Sequence, residues 1–397
     1  MIELLPFILN IATTYYEPNQ VNWLRKTETE SLVSLDLASR RYASEGKPDL
    51  WVICVTDIAE EKFYTKVASL LEDLDVVLYE SVRPTGAKPP SNVDDTIAVQ
   101  STKASMEFVA DICKQTAEEI EEIPSTLDAL IADSALLDRR FSGWVDDASV
   151  DAWGRPFALQ IHKNQKSFSI WSFGSDGKAG GDSTAKDLQV TRTVDFVNPF
   201  ADGVVQDADK SSLMQENLIA SLNLELQFDA LPYEEPNWFC SDLTVGEIRE
   251  KLIQRNADAS LVDSLTGESR VLQLAINMTK LMPNLKETAN AKMQNEAKLL
   301  LIELLAATSI EDMSSSINPG LMKVITVDRN TELLEDIAAT INLIDDIKTI
   351  GILYGVEHMK DFDHRLGELF NYEPAEEVWI GSISVSNENN QESTASE

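Results

Sequence analysis

Two short apolar runs on either side of an amphipathic helix constrain this chain more than any other feature. Asp49-Leu-Trp-Val-Ile-Cys-Val-Thr is continuously apolar after its first residue, as a strand covered on both faces must be. Between Glu60 and Glu72, Phe63, Val67, Leu70 and Leu71 recur at helical spacing and define one buried face. Asp75-Val-Val-Leu-Tyr-Glu then supplies a second short buried strand. Strand, helix, strand in this order predicts a βαβ unit with a parallel sheet. Just ahead of it, Leu32-Val-Ser-Leu-Asp-Leu-Ala alternates apolar and polar residues, the pattern of a half-buried strand.

Further along, Arg83 to Asp94 is rich in Pro, Gly and Ser and reads as a loop. Helical spacing runs from Thr102 to Glu122, and Pro124 opens another helix reaching Arg140. Trp144 to Asp187 changes in composition: it is dense in Gly, Asp, Trp and Ser, with short strands such as Phe157-Ala-Leu-Gln-Ile and Ser167-Phe-Ser-Ile-Trp. Asn198 to Asp209 is a polar connector. Helical patterns return at Leu213–Leu226, Val245–Arg255, Ser269–Leu281, Asn290–Leu305 and Thr331–Asp346. A strand over Thr349–Gly355, a helix from about Asp361 to Phe370 and a strand near Val378–Val385 close the pattern. The expected fold is α/β, a mixed sheet flanked by helices with a small α+β insertion. Its domains are expected at residues 25–122 with 205–386, and at 123–195, followed by a polar, disordered tail over 387–397.

The chain has 397 residues, 43% of them hydrophobic, enough to bury a sizeable core. Its net charge of −34 excludes a basic footprint for phosphate backbones, so no nucleic-acid partner is expected. Cys54, Cys113 and Cys240 have neither the even number of a disulfide framework nor metal-type spacing. Met1 to Ala12 is apolar but short and lacks a basic n-region, which makes a poor signal peptide. No transmembrane segment is expected. That argues for a protein kept inside the cell, unless an export signal is missing from the sequence.

The chemistry-bearing residues fall at the ends of the buried strands. Cys54-Val-Thr-Asp57 ends the first, Tyr79-Glu80 the second, and Tyr354-Gly-Val-Glu-His358 the late one. In open α/β sheets ligands collect beyond the carboxyl ends of strands. If the three strands are neighbours, Asp57, Glu80 and His358 converge. Two carboxylates and an imidazole suit Mn²⁺ or another divalent metal, and such a metal supports hydrolysis. The ordered set Val52-x-x-Val-Thr-Asp57, Asp75-Val-Val-Leu-Tyr-Glu80, Ser241-Asp-Leu-Thr244, Val327-Asp-Arg-Asn330 and Gly351-Ile-Leu-Tyr-Gly-Val-Glu-His358 resembles the TraB/PrgY/Tiki superfamily over roughly residues 30–100 and 210–386. Tiki-type members of that superfamily are metal-dependent proteases. The resemblance implies functional roles for Glu80, Arg329, Asn330, Gly355 and His358. Two positions depart from its pattern: the first GxxH is Cys54-Val-Thr-Asp57, and Asp328 stands before Arg329 in place of glutamate. Aspartate at position 57 cannot act as a nitrogen ligand.

The insertion carries its own signature. Asp151-Ala-Trp-Gly-Arg-Pro-Phe, then Ser172-Phe-Gly-Ser-Asp-Gly-Lys-Ala-Gly-Gly-Asp and Asp187-Leu, allow a tight loop with several left-handed residues and carboxylates at Asp176, Asp182 and Asp187. Main-chain carbonyls such as those of Phe173 and Lys178 add neutral oxygens, a ligand set suited to Ca²⁺. These motifs resemble the C-terminal half of the GspG-type major pseudopilin of type II secretion systems, over about residues 125–190, with Ala152 where that family has proline. The resemblance implies calcium at the 173–187 loop. Asp176 is the firmest ligand, and the choice among Asp182, Ser183 and Asp187 is open. The acidic Glu118 to Arg140 stretch differs from the apolar pseudopilin anchor helix, so filament assembly is not expected. A calcium loop of this kind favours the periplasm or cell envelope, against the reading of the N-terminus.

Two functions fit. One is a binding or scaffold protein for a protein or peptide partner in the envelope. The other is a metal-dependent hydrolase (peptidase) using Glu80 and His358.

Overall fold

The first strands are β1 (Leu24–Glu28), β2 (Leu32–Ala43) and β3 (Asp49–Val55), followed by the short β4 (Ile58–Ala59). This is a computed structural model, and it describes residues 22–163, 165–196, 219, 221–259, 262, 291–307 and 319–386. Helix α1 (Glu61–Leu71) buries Phe63, Tyr64, Val67 and Leu71, one stripe at helical spacing, and leads into β5 (Val76–Tyr79). The expected unit of strand, helix and strand is therefore present.

Next come α2 (Asp95–Glu119), α3 (Leu127–Ser134) and α4 (Arg139–Ala148). Asp94 caps α2 by accepting from the N–H groups of Thr96 and Ile97, so the helix starts well before the onset at Thr102 that apolar spacing suggests. The single helix expected from Pro124 to Arg140 is two, because Asp138 caps a new one. Strands β6 (Ala158–Ile161), β7 (Ser167–Ser172) and β8 (Leu188–Thr193) form an antiparallel sheet of their own.

The remaining elements are β9 (Glu225–Leu226), the single turn α5 (Gln227–Ala230), β10 (Trp238–Cys240), α6 (Val245–Gln254), α7 (Ala291–Ala307) and α8 (Pro319–Lys323). A five-residue π-helical segment, Val324–Asp328, runs directly into α9 (Arg329–Leu343). Strand β11 (Thr349–Gly355), helix α10 (Val356–Phe370) and strand β12 (Glu373–Ser386) end the described chain. The helix expected over Ser269–Leu281, most of that over Leu213–Leu226 and the tail over 387–397 lie outside the described residues.

The large sheet has seven strands and is mixed, as expected of an α/β chain. Its path is β1-β2-β3-β11-β5-β10, with β12 also paired to β2. Strands β3, β11, β5 and β10 are mutually parallel; β1, β2 and β12 run antiparallel to their neighbours. Thus the late strand β11 lies between the two early apolar strands, and all three are neighbours. The core around them takes residues from α1, α9 and α10, including Phe63, Leu71, Leu333, Ile337, Phe362 and Leu366. Each such side chain contributes about 1.5–3 kcal/mol by leaving water. A second core joins α2, α3 and α4 to the three-stranded sheet, through Met106, Val109, Cys113, Leu130, Trp144, Phe168, Ile170 and Val190. Among the described residues no helix is long and apolar enough to cross a membrane.

Candidate metal centre

Parallel pairing of β3, β11, β5 and β10 brings their C-terminal ends to one edge of the sheet. Glu80 follows β5 directly, and its backbone N–H donates to the Leu353 carbonyl (3.0 Å). Asp242 lies just past the end of β10. No loop separates β11 from α10, so His358 lies in the first turn of a helix that was expected to begin only at about Asp361. Gly355, the last residue of the strand, leaves room for the Glu357 carboxylate: a Cβ there would stand 2.6 Å from Glu357 Oε2. A side chain at 355 would push that carboxylate away.

The result is a group of three potential metal ligands, Glu80, Glu357 and His358, whose ligating atoms lie within 4.8 Å of one another. Glu357 occupies the third place that sequence reasoning gave to Asp57. Asp57 lies beyond β3, where its carbonyl accepts from the Gln227 N–H (2.9 Å), and it is not in this group.

The imidazole of His358 is fully buried and edge-on to the Tyr354 ring, with centroids 5.2 Å apart. Its Nδ1 is 2.9 Å from Asn330 Oδ1. The amide of Asn330 is oriented by its other end, because Nδ2 donates to the His358 carbonyl (3.0 Å) and to Asp361 Oδ2 (2.9 Å). Its Oδ1 is therefore the acceptor, and His358 Nδ1 must carry the proton. In the neutral imidazole Nε2 then has a lone pair; in the imidazolium it carries a proton facing Glu80. It stands 3.2 Å from Glu80 Oε1 but makes no hydrogen bond, a buried nitrogen without a partner.

Arg329 supplies the positive charge. Its Nε donates to Asp242 Oδ1 (2.9 Å) and its Nη2 to Asp242 Oδ2 and Glu80 Oε1 (both 2.6 Å). Glu80 Oε2 accepts from the Gly355 N–H (2.7 Å). Burial alone would push the Glu80 carboxyl up, but His358 in its charged form and the Arg329 guanidinium beside it, with the bond from the Gly355 N–H, hold it well below the usual carboxylate range. Glu80, Asp242 and Glu357 bring three carboxylates to a site where Arg329 is the cation in direct contact, an excess that suits a divalent cation. The Cys54 thiol at the end of β3 is pushed well above its usual value, first by burial and then by the charges of Glu357 and Glu80, which favours the neutral thiol.

The π-helical segment explains how consecutive residues reach this centre. Arg329 and Asn330 come immediately after it, and both are buried against the site. An extra residue in one turn rotates the next turn about the helix axis, a frequent device at functional sites. Asp242, Glu357 and Asp361 escaped the sequence reading of the site. Asp242 lay in view within Ser241-Asp-Leu-Thr244, but among 67 acidic residues no single carboxylate stands out.

The insertion loop is organised from Asp151. Its Oδ1 accepts from the N–H groups of Trp153 (3.0 Å) and Arg155 (2.9 Å), and its Oδ2 from Ser172 Oγ (2.9 Å). Arg155 then donates to the carbonyls of Gly174 (3.2 Å) and Ser175 (2.7 Å). Gly174, Gly177, Gly180 and Gly181 all have positive φ, as the tight loop demands. Asp176 Oδ1 accepts from the Lys178 N–H (3.0 Å), and Asp187 Oδ2 from the Gly180 N–H (2.9 Å). Asp187 Oδ1 is buried without a partner. Phe173 and Lys178 are exposed. The carboxylates of Asp176, Asp182 and Asp187 do not gather into a ligand trio like that of Glu80, Glu357 and His358.

Residues 92–191 match the family model of type II secretion system (T2SS) protein G. The matched quarter of the chain contains α2 as well as the three-stranded sheet, and these share one core. No curated protein and no solved structure matches the chain.

Proposed function

We propose that this chain is a TraB/Tiki-like scaffold that holds a divalent metal ion at Glu80, Glu357 and His358 and presents a pseudopilin-like module to a protein or peptide partner of the cell envelope. The observation that carries the metal reading is the buried Nε2 of His358, which faces Glu80 Oε1 at 3.2 Å without making a hydrogen bond to it. One nitrogen and two carboxylates form a donor set for Mn²⁺ or Zn²⁺. Asn330 keeps the proton at Nδ1, and Arg329 with the Gly355 N–H holds Glu80 in place. Metal analysis of purified protein tests this: one equivalent of transition metal is expected, lost in Glu80→Ala and His358→Ala. Equal metal content in all three would refute it.

The module reading rests on the protein G match together with the orphaned Asp187 Oδ1, which suits a calcium ion. Millimolar calcium should raise the melting temperature, since a ligand that prefers the folded state stabilises it. The rise should vanish in Asp187→Ala and shrink in Asp176→Ala. A calcium-stiffened module favours the periplasm or cell envelope, where calcium is plentiful.

A second reading is a metal-dependent peptidase. It is favoured by a three-residue ligand set, which leaves coordination positions for substrate and water. When bound, the ion would polarise a carbonyl and acidify a water. Peptide cleavage that requires added Mn²⁺ or Zn²⁺ and is abolished in His358→Ala would establish it. Full metal loading without cleavage across a peptide library would count against it.

A further inference from the structure

The three-stranded sheet of the insertion has two unlike faces. Phe168, Ile170 and Val190 belong to the core shared with α2, α3 and α4. The alternate residues form the opposite face, and their side chains are joined to one another across the strands. Gln160 of β6 pairs with Ser169 of β7, Ser169 with Thr191 of β8, and Trp171 with Gln189. The Trp171 indole N–H donates to Gln160 Oε1 (3.1 Å), so the amide oxygen of this exposed residue is committed and its N–H groups remain for a ligand. Gln189 Nε2 donates to Ser169 Oγ (3.0 Å) and Thr191 Oγ1 (3.3 Å), and those two hydroxyls are 2.8 Å apart. His162, just past β6, has Nε2 3.0 Å from Ser169 Oγ and Nδ1 2.9 Å from Ser167 Oγ.

A quarter of the chain is charged, yet no residue of this network is Asp, Glu, Lys or Arg. At a net charge of −34 the molecule repels anions and draws cations to its acidic surface elsewhere. The charge-free face is complementary to a neutral partner. It offers hydroxyls that donate or accept as required, amides that place donor beside acceptor, and the partly exposed ring of Trp171. A sugar presents the matching chemistry, hydroxyl groups arrayed around a ring whose C–H faces are apolar. Strand spacing and rise make the face roughly 10 Å by 13 Å, room for about two sugar rings. We infer that this face binds a neutral oligosaccharide, with one sugar ring stacked on Trp171 and its hydroxyls held by Gln160 and Gln189. The network is complete before the ligand arrives, so little side-chain freedom is left to lose on binding. The inference rests on neither the metal centre nor calcium at the insertion loop.

The test is calorimetric titration and saturation-transfer NMR of the full chain with chitotriose, maltotriose, cellotriose, mannotriose and galactotriose. A neutral Gly-Ser peptide serves as the competing class of ligand. At least one trisaccharide should bind, with transfer strongest at its ring C–H protons. Affinity should fall about 10-fold or more in Trp171→Ala. It should fall about 3- to 10-fold in Gln160→Ala, the worth of a neutral hydrogen bond, and that exposed position can be changed without disturbing the fold. Absence of binding by every sugar at about 10 mM overturns the inference. Binding of the peptide in place of all five sugars does so too, as does sugar binding unaffected by Gln160→Ala. Transition-metal content should equal the parent's in both variants, so loss of the sugar reading leaves the metal reading standing.

Discussion

Arg329 holds together two carboxylates that water cannot reach easily. Asp242 is fully buried and Glu80 has only 18% of its side chain exposed. Removing the guanidinium would leave the Asp242 carboxylate with little beyond the Leu243 N–H (2.7 Å) to offset its desolvation. Arg329→Ala should therefore cost about 3–5 kcal/mol in urea unfolding, and Asp242→Asn in the same background should recover part of that. Lysine should not substitute, because one ammonium cannot reproduce the forked contact to Asp242 and Glu80 together. At this scale, Glu80 was legible from its place at the end of a buried strand, and His358 and Arg329 also from the scarcity of their types. His358 is one of three histidines, and Arg329 belongs to a basic minority. The acidic partners were hidden by abundance, and Glu357 took the place assigned to Asp57 because α10 starts more than a turn before its apolar pattern does.

Helix starts set the geometry of the site, and they were the least legible elements. The strands could be read because uninterrupted apolar runs have few alternatives in a chain of this size. The onset of α10 at Val356 was hidden because Gly-Val-Glu-His reads equally well as a turn. The stretch before α9 was hidden by its π-helical winding, which breaks the 3.6-residue spacing. Deleting Val327 should convert that winding to ordinary helix. Arg329 and Asn330 would then rotate off the site, so transition-metal binding should be lost while circular dichroism changes little. A retained metal equivalent in that deletion would contradict the role given to the segment. Helix α6 offers a simpler check. Its Thr244–Glu247 capping box satisfies two backbone groups, so Thr244→Ala should lower stability by about 1 kcal/mol, read as a shift in the urea midpoint.

The whole molecule carries a net charge of −34, so its folded state works against its own repulsion. Burial raises the carboxyls of Glu332 and Asp336 above their ordinary values, with Lys88 opposing the rise at both. A raised acid destabilises the fold above its folded pKa, and that penalty is relieved as pH falls through it. Glu247 has the opposite sign: burial raises it, but Lys88 and Thr244 outweigh burial and lower it, so its contribution disappears at lower pH. The melting temperature should thus rise from neutral pH toward the ordinary carboxylate range and fall below it. Added salt should raise it most at neutral pH. A melting temperature independent of both would show that these charges are matched in the unfolded chain.

Strand β11 sits between β3 and β5 although most of the chain separates it from either of them. During synthesis, then, the early strands leave the ribosome with a gap between them that stays open until the late one arrives. Among the described residues, every fully buried member of the protein G-like core has emerged by Val194, so that module can mature while its host sheet is still waiting.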